Sequence, residues 1–184
     1  MKIYSYTAFY VAEPFNSSSL AAFATPDFNY YQMLKAWKAK DENFPFLNAH
    51  STTYNVRDSS DWESTLKPRL RERLRNSKNL ILFLSRNTKN SRALREEVDY
   101  AINTLGLPII VVFPEYDSYE KILYKNNFRP NITALFDNLP IFRDHRSKVP
   151  VVYVPMDKEL IAKALSNPNY TIQNATSVGS YKVS

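Results

Sequence analysis

The sequence predicts a doubly wound α/β fold, a mainly parallel five-stranded sheet in the order 2-1-3-4-5 with helices on both faces. Three observations predict it. Strand-like apolar segments alternate with segments of helical period along the chain, the pattern of βαβ units. Leu107 to Phe113 (LPIIVVF) is apolar without alternation, which requires burial on both faces and hence a central parallel strand. A chain of 184 residues, 44% of them apolar, can build one real core.

Taken in order, Lys2 to Tyr10 (KIYSYTAFY) reads as the first strand, rich in aromatic and β-propensive residues. Residues 11–28 form a long Ser/Ala/Pro-punctuated loop, a lid over a site or a passive insertion. Asn29 to Asp41 has helical spacing through Tyr30, Met33, Leu34 and Trp37. Phe44 to Asn48 (FPFLN) is a short second strand, placed near an edge by Pro45. In residues 61–77, Trp62, Leu66, Leu70 and Leu74 recur every four positions, and Pro68 should kink or divide that helix. Its Arg69, Arg71, Arg73 and Arg75 read as a solvated face interrupted by Glu72. Strand 79–85, a polar turn and helix 91–105 follow, with Gly106 as the residue that ends the helix. After strand 107–113, short helices are expected at 117–125 and 131–137, a fifth strand at 149–154, and a last helix from Pro155 to about Ser166. Crossovers should be right-handed. Residues 1–168 are read as one domain and 169–184 as a loose tail.

Composition removes several chemistries. Two glycines, Gly106 and Gly179, cannot write GxxxxGK or GxGxxG, so P-loop and Rossmann phosphate cradles are excluded. The absence of Cys removes disulfides, thiolate zinc sites and a Cys nucleophile, and fits a reducing cytosol. His50 and His145 alone leave no basis for a His-rich metal site. The net charge of +6 favours anionic partners, phosphorylated small molecules among them, but falls short of a nucleic-acid signature. No apolar run approaches the ~18 residues of a membrane span, and no basic-then-apolar leader is present, so a cytoplasmic chain without a membrane partner is expected.

The strand-turn-helix unit 79–102 carries the chemical centre. At about 100° per residue, Leu94, Val98, Ala101, Ile102 and Leu105 share one face. Glu96 then points almost opposite, into water. Glu97 falls at the flank, about 80° from the stripe centre, beside Ala93 and Ala101. Geometry alone leaves Glu97 open between a surface Glu that complements the helix dipole and a half-buried functional carboxylate. In open α/β sheets, however, ligands bind beyond the carboxyl ends of strands where the order reverses. For 2-1-3-4-5 that point lies between the first strand and strand 79–85. Glu97 would wall that crevice, and the helix start with Arg92 and Arg95 would favour an anionic ligand.

Asn90-Ser91-Arg92-Ala93-Leu94-Arg95-Glu96-Glu97-Val98-Asp99-Tyr100-Ala101-Ile102 resembles the third-helix motif of TIR and TIR-like domains, S-x-W-[VL]-x-x-E-[IV]-x-x-A. The strands NLILFLS and PIIVVF, the opening strand KIYSYTAF, the His50-Ser51 loop and the Ser59-Ser60-Asp61 entry to a helix fit the same flavodoxin-like, TIR-like plan. The sequence resembles in particular the TIR-like component of the Thoeris antiphage system, over about residues 1–165. The resemblance implies that Glu97 is catalytic and that NAD is cleaved at the nicotinamide–ribose bond. NAD enters as substrate, with no cofactor and no metal. It implies substrate contacts at Phe9, Tyr10, His50, Ser51, Ser91 and Arg92, a phage-derived trigger, self-association, and a cyclic or conjugated ADP-ribose signal read by a separate effector. One departure stands out: Ala93 occupies the place where the motif often has Trp, so either Phe9, Tyr10 or Trp62 supplies the stacking ring or the pocket differs. Two other functions fit the same residues. One is a non-catalytic TIR-like interaction module; the other is a nucleoside N-ribosyltransferase-like enzyme with Glu97 as nucleophile. A receiver-like phosphoacceptor lacks the acidic cluster its magnesium would need after Ala8-Phe9-Tyr10.

Overall fold

The computed structural model describes residues 6–9, 26–48, 61–88 and 90–183. Five strands, β1 (Tyr6–Phe9), β2 (Ser77–Phe83), β3 (Ile109–Phe113), β6 (Pro150–Pro155) and β7 (Gly179–Lys182), form one all-parallel sheet in the order β1-β2-β3-β6-β7. A two-residue hairpin, β4 (Leu123–Tyr124) and β5 (Asn127–Phe128), stands apart. Its turn residues Lys125 and Asn126 both have positive φ, as the tight primed turn demands. The central strands are buried on both faces, as the unalternating sequence requires, and alternate residues feed two cores. Leu80, Leu82, Ile109, Val111, Phe113, Val151 and Tyr153 point to one core. It is completed by α2 (the wide π-helical turn Trp62–Leu66 continued by helix Lys67–Arg75), α3 (Arg92–Asp99, continued by the π-helical turn Tyr100–Leu105), α4 (Tyr119–Ile122), α5 (Pro130–Phe136) and α6 (Pro140–His145). Ile81, Phe83, Ile110, Val112, Val152 and Val154 point to the other, under α1 (Pro26–Lys40) and α7 (Lys158–Ser166). Among the described residues no helix is long and apolar enough to cross a membrane.

Local chemistry explains the breaks between elements. Pro68, in the first turn of the Lys67–Arg75 helix, divides α2 as its missing N–H dictates. Gly106 ends α3 at φ 65°, and the Leu107 N–H closes back on the Ala101 carbonyl at 2.9 Å. Asp157 caps α7 by accepting from the Leu160 N–H at 2.8 Å.

Three expectations change. Residues 44–48, expected as the second strand, supply a single parallel bridge, Asn48 to Thr7. Pro45 has no N–H, the Phe46 N–H turns back onto the Phe44 carbonyl, and Phe44 and Phe46 are drawn into the α1 core instead. Asn48 still lies on the outer side of β1, so the 2-1-3-4-5 order is kept. The stretch 169–184, expected as a loose tail, contributes β7. Asn79 holds its start, donating to the Tyr170 carbonyl at 3.0 Å while accepting from Thr7 Oγ1 at 2.9 Å. Tyr119 holds its end: the hydroxyl donates to the Tyr153 carbonyl at 3.0 Å and accepts from the Val183 N–H at 2.8 Å. Finally, α3 and α7 lie on opposite faces, yet both lead to the next strand in the same direction across the sheet. The β6–α7–β7 connection therefore has the opposite hand to β2–α3–β3, and the two cannot both obey the right-handed rule.

Candidate active site

The turn that delivers the chain from β2 to α3 is held by its own polar side chains. Thr88 Oγ1 accepts from the Ser85 N–H at 2.9 Å and donates to the Phe83 carbonyl at 3.3 Å. The Asn87 N–H reaches Ser85 Oγ at 3.1 Å, and Asn138 Nδ2 ties the Ser85 carbonyl to the end of α5 at 3.1 Å. Ser85 and Thr88 are buried, so these bonds satisfy groups that water cannot reach. The turn ends at Ser91, the cap of α3. Its backbone is extended, and its Oγ accepts from the Leu94 N–H at 3.2 Å. An accepting hydroxyl keeps its proton, which it can donate in turn.

Glu97 is 3% exposed, more covered than its flank position implied. α2 runs beside α3 in the same direction. Arg71 meets Glu96, Arg75 donates to the Tyr100 hydroxyl at 2.8 Å, and Leu70 and Leu74 share a core with Leu94 and Val98. By the same helical geometry Glu97 falls between the sheet-facing stripe and the side that meets α2. That is the side on which a crevice between the first strand and strand 79–85 is expected. A carboxylate covered to this degree is held by partners or carries perturbed chemistry, unlike a solvated Glu.

Glu96 corrects the expectation of a water-facing charge. Its side chain is 18% exposed; Arg71 approaches Oε1 at 2.6 Å and Lys67 approaches Oε2 at 3.7 Å. The arginines of α2, expected as a solvated face, are in part turned inward on this seam. Arg71 and Arg75 also lie over the Tyr100 ring, at 4.7 and 5.6 Å.

Arg92 projects from the first turn of α3 onto the start of α2. Its guanidinium lies 5.0 Å over the Trp62 ring, with one nitrogen 2.6 Å from Glu63 Oε1. On the helical wheel it stands about 140° from Glu97, so the two do not share a face. Phe9 ends β1, beside the β2 residue Ile81. Tyr10, His50 and Ser51 lie outside the described residues, as does most of the 11–28 loop. The described structure thus brings Ser91, Arg92 and Trp62 together at one edge, with Glu97 on the adjoining flank. The importance of Glu63, Ser85, Thr88 and Asn138 was not legible in the sequence. Asp61-Trp62-Glu63 signals a helix start, with Asp61 accepting from the Ser64 N–H at 2.7 Å, but nothing in the chain announces the Glu63–Arg92 contact.

Two clefts among the described residues lie away from Glu97. One of about 490 Å³ opens at the ends of β2 and β3, lined by Arg86, Tyr116, Asn131, Ala134, Leu135 and Asn138. One of about 330 Å³ lies between α7 and β7, lined by Lys163, Ser166, Asn167, Tyr170, Lys182 and Val183. Neither cleft is lined by Glu97. Among the described residues no group of three or more His, Asp and Glu is placed to hold a metal.

An all-parallel, flavodoxin-like sheet with a covered carboxylate on the helix after its second strand defines a domain of the TIR-like class. Comparison with known families agrees: the family described as Thoeris protein ThsB, TIR-like domain, matches residues 5–119. The chain belongs to that family, and is a TIR-type defence protein. The match runs from β1 to the first residue of α4 and contains Glu97, Ser91 and Arg92, together with Phe9, Tyr10, His50 and Ser51.

Proposed function

We propose that this protein cleaves NAD at the nicotinamide–ribose bond and converts the ADP-ribosyl group into a signal, cyclic or conjugated. The observation that carries the reading is Glu97, covered on the crevice flank of α3 inside the family-matched segment. The C1′–N1 bond breaks with both electrons going to the pyridinium nitrogen, so nicotinamide leaves neutral and needs no acid. The ribose is left with oxocarbenium-like charge, which a carboxylate in a water-poor site stabilises strongly. A group of the same molecule that captures C1′ gives a cyclic product. Another acceptor gives a conjugate, and water gives ADP-ribose, with one proton released in each case. No cofactor takes part, and NAD is the substrate.

Within this reading Ser91 and Arg92 meet phosphate oxygens, Phe9 and Tyr10 offer rings, and His50 and Ser51 complete the pocket. A phage-derived trigger and self-association switch the enzyme on, and a separate effector reads the product. Purified protein incubated with NAD, with and without phage-infected lysate, should release nicotinamide, and mass spectrometry should find an ADP-ribose-derived product. Glu97→Gln should abolish both. A Glu97→Gln protein as active as the parent sinks the mechanism.

A second reading, a non-catalytic interaction module, draws on Ala93 and on the engagement of Arg92 by Glu63. Trigger-independent association with no NAD turnover under any condition would select it.

A further inference from the structure

Trp62 opens α2 and Arg92 opens α3, and the two starts lie side by side at the carboxyl end of the sheet. There the Arg92 guanidinium covers one face of the Trp62 indole, while Trp62 packs against the core of the α2–α3 layer. Glu63 keeps Arg92 in place at 2.6 Å, with both side chains largely exposed, 61% and 62%. Glu63 also has a second cation, Lys67, at 3.2 Å through its other oxygen. One indole face is thus covered by a cation, and that cation is held by a solvent-facing carboxylate.

We propose that Glu63, Arg92 and Trp62 form a latch opened by a dinucleotide ligand. The ligand's diphosphate takes Arg92 from Glu63, and the uncovered Trp62 face receives one of its aromatic rings. This rests on the NAD-cleaving reading and deepens it, because it names the elements that select the substrate. The exchange is favourable for stated reasons. An exposed ion pair contributes little net stability, whereas a diphosphate offers more charge and paired oxygens matched to the guanidinium fork. Glu63 keeps Lys67 when Arg92 departs, so no carboxylate is left without a countercharge. The indole trades a cation on its face for a stacked base or pyridine ring. Ala93 makes such a ring useful, since α3 supplies none at that position.

Glu63 is then a competitor of the substrate and Arg92 its ally, which gives neutralising substitutions opposite signs. The test uses the purified full chain with ADP-ribose and adenosine as probes. Binding is read by calorimetry and by fluorescence of Trp62 in a Trp37→Phe background. ADP-ribose should quench Trp62. Glu63→Gln should tighten ADP-ribose roughly threefold to tenfold by removing the competing charge, and Arg92→Gln should weaken it by about tenfold or more. Arg92→Lys, which keeps charge but not the fork, should fall between. Adenosine, lacking the diphosphate, should bind Glu63→Gln and parent alike. If NAD turnover depends on Glu97 while ADP-ribose affinity stays within about twofold in Glu63→Gln and Arg92→Gln and Trp62 emission is unmoved, the latch is wrong and the NAD reading survives. If ADP-ribose does not bind and NAD is never consumed, both fall.

Discussion

Two adjacent carboxylates on α3 sit in different surroundings, and neutralising each in turn tests whether their roles differ. Glu96→Gln keeps the side chain's volume and one acceptor oxygen but removes the charge that Arg71 meets through two nitrogens, at 2.6 and 2.8 Å, and Lys67 at 3.7 Å. An exposed ion pair contributes ~0.2–1 kcal/mol, and a hydrogen bond to a charged group ~1.5–3 kcal/mol. Glu96 is mostly covered, but the Arg71 side chain is 36% exposed, so solvent screening discounts the upper figure. The expected loss is about 1 kcal/mol, a fall in Tm of roughly 2–4 °C in a chain of this size.

Urea unfolding of parent, Glu96→Gln, Arg71→Ala and the double variant measures the pair directly. The stacking of Arg71 on Tyr100 is lost in both Arg71→Ala proteins and cancels in the cycle. The coupling should be near 1 kcal/mol and only partly reduced by about 1 M salt, because the pair is largely covered. NAD turnover should survive in Glu96→Gln within a few-fold, while Glu97→Gln loses about 10²–10³ in kcat, the usual cost of removing one stabiliser of developing charge. A coupling near zero would refute the α2–α3 seam as a source of stability. Turnover lost equally in folded Glu96→Gln and Glu97→Gln would refute the division of labour.

Tyr119→Phe removes the hydroxyl that bridges the Tyr153 carbonyl and the Val183 N–H, leaving a poorly solvated amide without its acceptor; we expect a loss of about 1–3 kcal/mol and faster hydrogen exchange at Val183, and unchanged exchange there would contradict the bridge. Stability should fall as pH rises through and above the ordinary tyrosine value of about 10. Burial pushes the hydroxyls of Tyr31, Tyr119, Tyr153 and Tyr170 up, so the folded chain keeps protons that the unfolded chain gives away. Their contribution is whole below the unfolded value and is lost on passing through the folded one. Two groups oppose this: Lys78, whose ammonium is pushed down by burial, and Tyr181, pulled down by hydrogen bonds from Ser177 and Thr176. Urea midpoints from about pH 8 to about pH 11.5, with tyrosinate absorbance, check the sign, and a flat or rising midpoint would contradict it.

What was legible in the chain was what one element determines alone. The burial of β2 and β3 on both faces follows from their own apolar runs, and the start and stop of α3 follow from Ser91 and Gly106. The side of α3 that carries Glu97 follows from a count of residues. What a helical wheel cannot contain is the neighbour. Glu96 reads as a surface charge until Arg71, 25 residues earlier, is laid beside it. Arg92 reads as an open cation until the start of α2 supplies Trp62 and Glu63. β7 has no apolar alternation to announce it, since Gly179-Ser180-Tyr181-Lys182 is held by pairing to β6 and, just beyond its end at Val183, by the Tyr119 hydroxyl. These misses share one cause, and it bears on function. A charge on a helix is local information, but whether that charge is available to a ligand depends on the packing of the adjacent helix. At this site the adjacent helix is α2. It neutralises Glu96 and occupies Arg92, so changes along the α2 seam should alter substrate affinity even though Glu63 and Lys67 would touch no reacting atom.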